Sequence, residues 1–254
     1  MDKALVRGVP ASFDRAIVRD RGRAPLVDLA RSQHAAYREA LQAAGYEVTT
    51  LDPDEDHPDC VFVEDTAVVV GDVAVITRPG APSRRGETEP VAHALGADLD
   101  LVRITPPGRL DGGDVMQLGG TVYAGRSART DEEGIAQLGA TVASLGLTLR
   151  VVPVHGVLHL KSGVLPVTDD TVVVTPGTVD ERLLDGQHII HEHETERNRF
   201  SALPLLSGIV MVTDAAPRTA EAVSATGVEV APVDISEFLA ADGGLTCLSI
   251  LYRV

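Results

Sequence analysis

Two cysteines in 254 residues cannot make a disulfide framework. Cys60 and Cys247 therefore read as free thiols, and a reducing, cytoplasmic setting is the expectation. No N-terminal segment shows the charged, apolar and small-residue order of a secretory signal. No apolar run approaches the roughly 18 residues that a membrane span requires. Lysine is nearly absent, at Lys3 and Lys161 only, and the formal charge is -15. Binding nucleic-acid phosphates needs clustered cations, so that balance argues against nucleic acid, whereas a small cation would be attracted. There is no Walker loop, no dinucleotide fingerprint and no Cys-x-x-Cys pair, so no cofactor is implied. No Pro/Ser-rich linker or low-complexity segment divides the chain, which predicts a single domain over 1–254.

What is present is ordinary globular material, with 44% hydrophobic and 23% charged residues, arranged repetitively. Short β-branched strands meet at two-residue turns. Ala67–Val70 faces Val73–Ile76 across Gly71-Asp72, and Val115–Leu118 faces Thr121–Tyr123 across Gly119-Gly120. Val164–Val167 faces Thr171–Val174 near Asp169-Asp170, and Leu205-Leu206 faces Ile209–Val212 across Ser207-Gly208. Helical spacing over Leu26–Ala44, Asp131–Leu145 and Pro217–Ala225 separates them, and further strands follow at Tyr46–Leu51, Thr148–Val152 and Val228–Val233. The unit is strand, strand, helix, strand, recurring roughly every forty to fifty residues. Four units are visible, and a fifth is completed if Leu248–Val254 pairs with Ala4–Gly8.

The polar chemistry is concentrated in a few segments. Cys247 follows Asp242-Gly243-Gly244-Leu245-Thr246, and His159-Leu160-Lys161-Ser162-Gly163 lies far upstream. A thiol near a histidine offers nucleophile and base, and the glycine pair permits close backbone approach. Asp59, Glu64 and Asp65 surround an apolar stretch containing Cys60, and Arg78, Arg84 and Arg85 follow the next hairpin. Carboxylates suit a guanidinium and arginines suit a carboxylate, so these segments fit a zwitterion with a cationic end. His188, His191 and His193 with Glu192 and Glu194 lack the spacing of a helical metal motif and read as an exposed segment, so no metal site is expected.

Six ordered segments, Asp59–Asp65, Ile76–Arg85, Leu110-Asp111-Gly112-Gly113-Asp114, Ser127–Thr130, Leu158–Ser162 and the run around Cys247, together resemble the dimethylarginine dimethylaminohydrolase family over nearly the whole chain. The resemblance implies an α/β fold, the five-bladed pseudo-symmetric propeller of guanidine-modifying enzymes, known as a pentein. It implies hydrolysis of methylated arginines to citrulline, with Cys247 as nucleophile, His159 as acid and base, and Asp111 orienting His159, where some relatives carry Glu. Asp65 would pair with the guanidinium, Glu64 would assist mainly through its backbone, and Asp59 would meet the α-amino end. Arg84 and Arg129 match the carboxylate clamp, while Arg78 and Arg85 support loops. Val18 and Ala241 would offer backbone carbonyls.

The expected partner is a small methylarginine, with no membrane partner and a homodimer as the expected assembly. Arginine or agmatine deiminases are the nearest rival, but they resemble a His-x-Asp pattern where this chain has His159-Leu160-Lys161. A ribosome-binding propeller would have no use for a Cys, His and acid triad. A cysteine peptidase leaves the paired arginines and carboxylates unexplained.

Overall fold

The computed structural model describes residues 1–18, 22–184 and 186–254. Fifteen short strands form five three-stranded sheets among these residues. The strands are β1 (Asp2–Arg7), β2 (Glu47–Leu51), β3 (Ala67–Val70), β4 (Val73–Ile76), β5 (Asp100–Arg103), β6 (Val115–Leu118), β7 (Thr121–Arg126) and β8 (Thr148–Pro153). They continue with β9 (Val164–Pro166), β10 (Thr171–Val174), β11 (His188–His191), β12 (Ala202–Pro204), β13 (Val210–Thr213), β14 (Val230–Val233) and β15 (Ile250–Arg253). In every sheet the middle strand pairs antiparallel with one neighbour and parallel with the other.

The antiparallel pairs are the hairpins read from the sequence. Gly71, at φ 60°, opens the β3–β4 turn, and only the first central residue takes the positive angle that a II′ turn demands. The parallel pairs need crossovers, and helices α1 (Val27–Ala43), α2 (Thr88–Leu95), α3 (Glu132–Ser144) and α4 (Pro217–Ser224) supply four of them. Helix α1 buries Ala30, Gln33, His34, Tyr37 and Leu41, the stripe expected of an amphipathic helix laid on a sheet. A short α5 (Ser236–Leu239) follows β14. The fifth sheet is built from both ends of the chain, with Asp2 opposite Arg253 and Leu5 opposite Ile250.

Several expectations shift in detail. The hairpin placed at Leu205-Leu206 forms earlier, with β12 at Ala202–Pro204 and Leu206 in the turn. Cys60 lies in a turn, not a strand, although it is buried. In the segment read as exposed, His188, His191 and Glu194 are exposed, with the two histidines at the ends of the outer strand β11, whereas Glu192 is buried. Glu192 accepts from Thr175 Oγ1 at 2.7 Å and from the backbone N–H groups of Asn198, Arg199 and Phe200, each at 3.0 Å. Those four donors make its burial tolerable.

The first strands of the five units, β3, β6, β9, β12 and β15, all line one cavity of about 220 Å³, so they surround a common axis. The apolar core is divided into five clusters between neighbouring blades and their covering helices. The arrangement is an α/β propeller of five pseudo-symmetric units. No helix among the described residues is long and apolar enough to cross a membrane.

Candidate active site

The repeat positions the chemistry. Just before four of the inner strands the chain makes a one-turn 3-10 helix: Val63–Thr66 ahead of β3, Gly112–Asp114 ahead of β6, Leu160–Ser162 ahead of β9 and Thr246–Leu248 ahead of β15. Glu64 and Asp65 lie in the first, Asp111 caps the second, His159 caps the third and Cys247 lies in the fourth. Four segments remote in sequence thereby meet at one end of the axis. Gly243 is required there, because a Cβ at this position would lie 2.2 Å from the Phe62 ring.

His159 is buried, with Nε2 3.0 Å from Asp111 Oδ2 and Nδ1 3.8 Å from Asp65 Oδ1. Asp111 is fixed in turn by the backbone N–H of Gly80, which donates to Oδ1 at 2.7 Å. Nε2 thus faces Asp111 and Nδ1 faces Asp65. Burial pulls the imidazole pKa down, but Asp65, Asp111 and Asp114 outweigh it and raise the value to about 9. Burial works against Asp65 too, yet His159 and Arg84 hold its carboxyl down at about 2. Asp114, pushed up by burial, accepts from Leu160 N at 2.8 Å and Ser127 Oγ at 2.6 Å, which ties the His159 turn to the Ser127–Thr130 loop.

Cys247 is partly buried, and Gly244 N–H donates to Sγ at 3.3 Å. Burial, followed by Glu64 and Asp65, pushes the thiol up to about 12, against the pull of Gly244 N–H and Lys161. Both shifts favour the protonated forms, the thiol of Cys247 and the imidazolium of His159. Lys161 Nζ lies 2.6 Å from Glu64 Oε1, and Thr246 Oγ1 donates to Glu64 Oε2 at 3.1 Å. That ion pair stands between the axial cavity and the site, since both residues line each. Burial raises the Glu64 pKa even so.

Cys247 and His159 face two connected spaces. A narrow cleft of about 20 Å³ is lined by Asp59, Asp65, Arg84, Arg129 and Ala241, among others. A wider lobe of about 110 Å³ is walled by Val157, Leu158, Asn198, Phe200 and Gly244. Glu64, Lys161 and Asp242 line the wider lobe as well, so charged groups stand on both sides of the thiol.

The two arginines expected as a clamp differ in their surroundings. Among the described residues Arg129 Nη1 is buried with no hydrogen-bond partner and lies 3.6 Å from Asp111 Oδ2. Arg84 is 4% exposed and already engaged. Its Nε donates to Glu87 at 3.0 Å, its Nη2 to Glu87 at 2.8 Å and Phe62 O at 2.9 Å, and its Nη1 to Asp65. It lines the cleft, but first of all it is the counter-ion of two buried carboxylates.

Asp59 Oδ1 accepts from Ile17 N at 2.9 Å, and Ile17 lines the cleft. The Val18 side chain packs against the apolar cluster that includes Ala30, Tyr37 and Leu41 of α1. Arg78 donates to Gly108 O at 3.0 Å and Arg85 to Pro79 O at 3.1 Å, so both support loops. Among the described residues, Asp65, Asp111 and His159 bring three potential metal-ligand atoms within 4.8 Å of one another. Arg84 Nη1 stands at Asp65 and Arg129 Nη1 at Asp111, so two of those carboxylates already face a guanidinium.

The family model for N,N dimethylarginine dimethylhydrolase, eukaryotic, matches residues 12–198. An N(G),N(G)-dimethylarginine dimethylaminohydrolase of Streptomyces coelicolor is 43% identical over 229 residues, covering 89% of this chain and 86% of the relative. The chain belongs to the dimethylarginine dimethylaminohydrolase family. A family structure from Pseudomonas aeruginosa, a Cys-to-Ser mutant complexed with citrulline, superimposes with a TM-score of 0.94 at 34% identity, covering 99% of this chain and 100% of that one. The N-terminal domain of an arginine dihydrolase from cyanobacteria shares the fold alone, with a TM-score of 0.87 at 16% identity over 98% of this chain and 97% of that one. Members of the dimethylarginine dimethylaminohydrolase family thus share this five-unit architecture with enzymes acting on unmethylated arginine. The local side chains must decide between the two chemistries.

Proposed function

We propose that this chain hydrolyses the C–N bond of N(ω)-methylated arginines, giving citrulline and dimethylamine or methylamine. The observation that carries the reading is the cleft that joins Cys247 and His159 to Asp65 and to the unpartnered Nη1 of Arg129. A guanidinium entering beside Asp65 brings a positive charge next to the thiol, which favours thiolate over thiol and so offsets the burial that opposes ionisation. Cys247 releases its proton to solvent as the guanidinium binds, its sulfur forms a bond to the guanidinium carbon, and the tetrahedral adduct collapses as its C–N bond to the substituted nitrogen breaks. His159, protonated at rest, gives its proton to that nitrogen, leaving a thiouronium on Cys247. Water then adds to the same carbon, His159 takes its proton, and the C–S bond breaks to release citrulline and the thiolate. Asp111 keeps the imidazole oriented through both halves. Arg129, with Arg84 behind it, meets the substrate carboxylate, and Asp59 the α-amino group, with backbone carbonyls at Ala241 and Val18 assisting. Glu64 contributes through its backbone, because its carboxylate is taken by Lys161 and Thr246.

The apolar side chains of Val157, Leu158 and Phe200 in the lobe beyond Cys247 offer a surface for methyl groups and support the methylated substrate over free arginine. Lys161, bound to Glu64, stands where a deiminase-type His-x-Asp motif would place a second acid. Under the same proposal, 1–254 acts as one catalytic domain on a small molecule in the cytoplasm, as a homodimer and without nucleic acid. The test is citrulline release from arginine, monomethylarginine, and asymmetric and symmetric dimethylarginine. The monomethyl and asymmetric forms should turn over, and the symmetric form should be poor because its second methyl would face Asp65. Equal turnover of free arginine would make the protein a deiminase, and release from none of them would end the proposal.

A further inference from the structure

Cys247 sits at the centre of a short turn whose two flanks are gripped by one side chain from a distant helix. Tyr37, in α1, donates its hydroxyl hydrogen to Leu245 O at 3.0 Å and lies 2.7 Å from Ser249 Oγ. A carbonyl only accepts, so the phenol hydrogen goes to Leu245 and Ser249 supplies its own to the phenol oxygen. The chain Ser249–Tyr37–Leu245 therefore bridges the residues two before and two after the nucleophile.

Nothing in the packing of the ring calls for that hydroxyl. Tyr37 is fully buried in the apolar cluster with Ala30, Leu41 and Phe238, and stacks on His34 with centroids 6.4 Å apart. A phenylalanine would fill the same space. A buried hydroxyl carries a desolvation cost that only well-made hydrogen bonds offset, and here both go to the Cys247 turn. The other supports of the turn act elsewhere: Ser201 Oγ accepts from Leu245 N at 2.8 Å, and Glu64 takes Thr246 Oγ1.

We propose that Tyr37 is a positioning residue for the nucleophile, its hydroxyl fixing where Cys247 Sγ stands relative to His159 and Asp65. It touches neither cavity that contains the thiol. Its effect passes through the backbone of the turn, and small displacements of a reacting atom can lower rates by about a hundredfold. The kinetic arm of the test rests on the methylarginine reading above; the alkylation arm does not.

Tyr37→Phe in the full chain should lower kcat for citrulline release from monomethylarginine at least tenfold while KM moves less than twofold. The pH dependence of iodoacetamide alkylation at Cys247 should shift as well. Ser249→Ala, which leaves the aromatic ring in place, should act in the same direction, and the double variant should be no worse than Tyr37→Phe alone. Unchanged kcat and an unchanged alkylation profile in Tyr37→Phe, even with a lowered Tm, would reduce the hydroxyl to a fold-stabilising group and overturn the proposal. If Tyr37→Phe does not fold, Ser249→Ala decides by the same readouts. Should wild type release no citrulline from any methylarginine, the activity reading fails and the alkylation profiles still judge Tyr37.

Discussion

Arg129 and His159 converge on one oxygen. Oδ2 of Asp111 lies 3.0 Å from His159 Nε2 and 3.6 Å from Arg129 Nη1. The group proposed to hold the substrate carboxylate is therefore coupled to the group that orients the imidazole. A ligand carboxylate drawing Arg129 toward itself would leave Asp111 more fully to His159.

The two arginines should accordingly respond differently to removal. Arg129→Ala should leave the fold intact and raise KM roughly 10- to 100-fold for substrates bearing a carboxylate, the value of one charge-assisted bond, with little change for decarboxylated analogues. Arg84→Ala removes the counter-ion of buried Asp65 and Glu87 and should cost about 3–5 kcal/mol of stability. Urea unfolding beside steady-state kinetics would separate the cases. Equal loss of stability in both variants would contradict the assignment.

Cys247→Ser should abolish citrulline formation with a Tm close to that of wild type, because oxygen replaces sulfur at a partly exposed position while the nucleophile is lost. Retained turnover would rule out the covalent route. Peptide mass mapping of an acid-quenched adduct should place it on Cys247 and not on Cys60, which is buried with its thiol pushed up to about 11.

The free thiol should be slow toward iodoacetamide at pH 7. With Cys247 raised to about 12, the rate of its alkylation should climb through pH 9 and reach no plateau below about pH 10. A plateau near neutrality would mean a thiolate and imidazolium already paired in the resting protein.

Stability should fall as the solution turns alkaline. His159 is raised from 6.5 to about 9, so its charged form is favoured by the fold. That contribution, on the order of 3 kcal/mol, is fully present below pH 6.5 and is lost as pH rises through 9. Chemical denaturation of wild type across that window, compared with His159→Asn, should show the decline in the first and a flatter curve in the second. Matching curves would mean that the carboxylates do not stabilise the imidazolium.

The hairpins and the closing strand pair were readable because Gly71 and Gly119 mark turns between β-branched runs, and the period exposes the repeat. Cys247, His159 and Asp65 stood out in local motifs, Asp111 and Arg129 came with the family resemblance, and folding brings all five to one place. Helix α2 was not read, since Pro90 interrupts its apolar spacing, although a proline in the first turn is tolerated. Glu87 and Tyr37 gave no signal and Glu192 read as exposed, because each acquires meaning only from partners that the tertiary fold supplies. For Arg84 the residue was legible but its surroundings were not. Its neighbour three positions on, Glu87, takes up most of the fork that the sequence left free.

The pairing of β15 with β1 has a bearing on when the protein becomes reactive. The inner strand of the fifth sheet follows directly on the Cys247 turn, and its partner is the first strand of the chain. Contacts that span nearly the whole sequence form late and slowly. The acids and the imidazole meet within residues 59–162, so the β1–β15 pairing is what brings the thiol-bearing turn to them. The seam of the ring doubles as the switch that turns an inert chain into a chemical one.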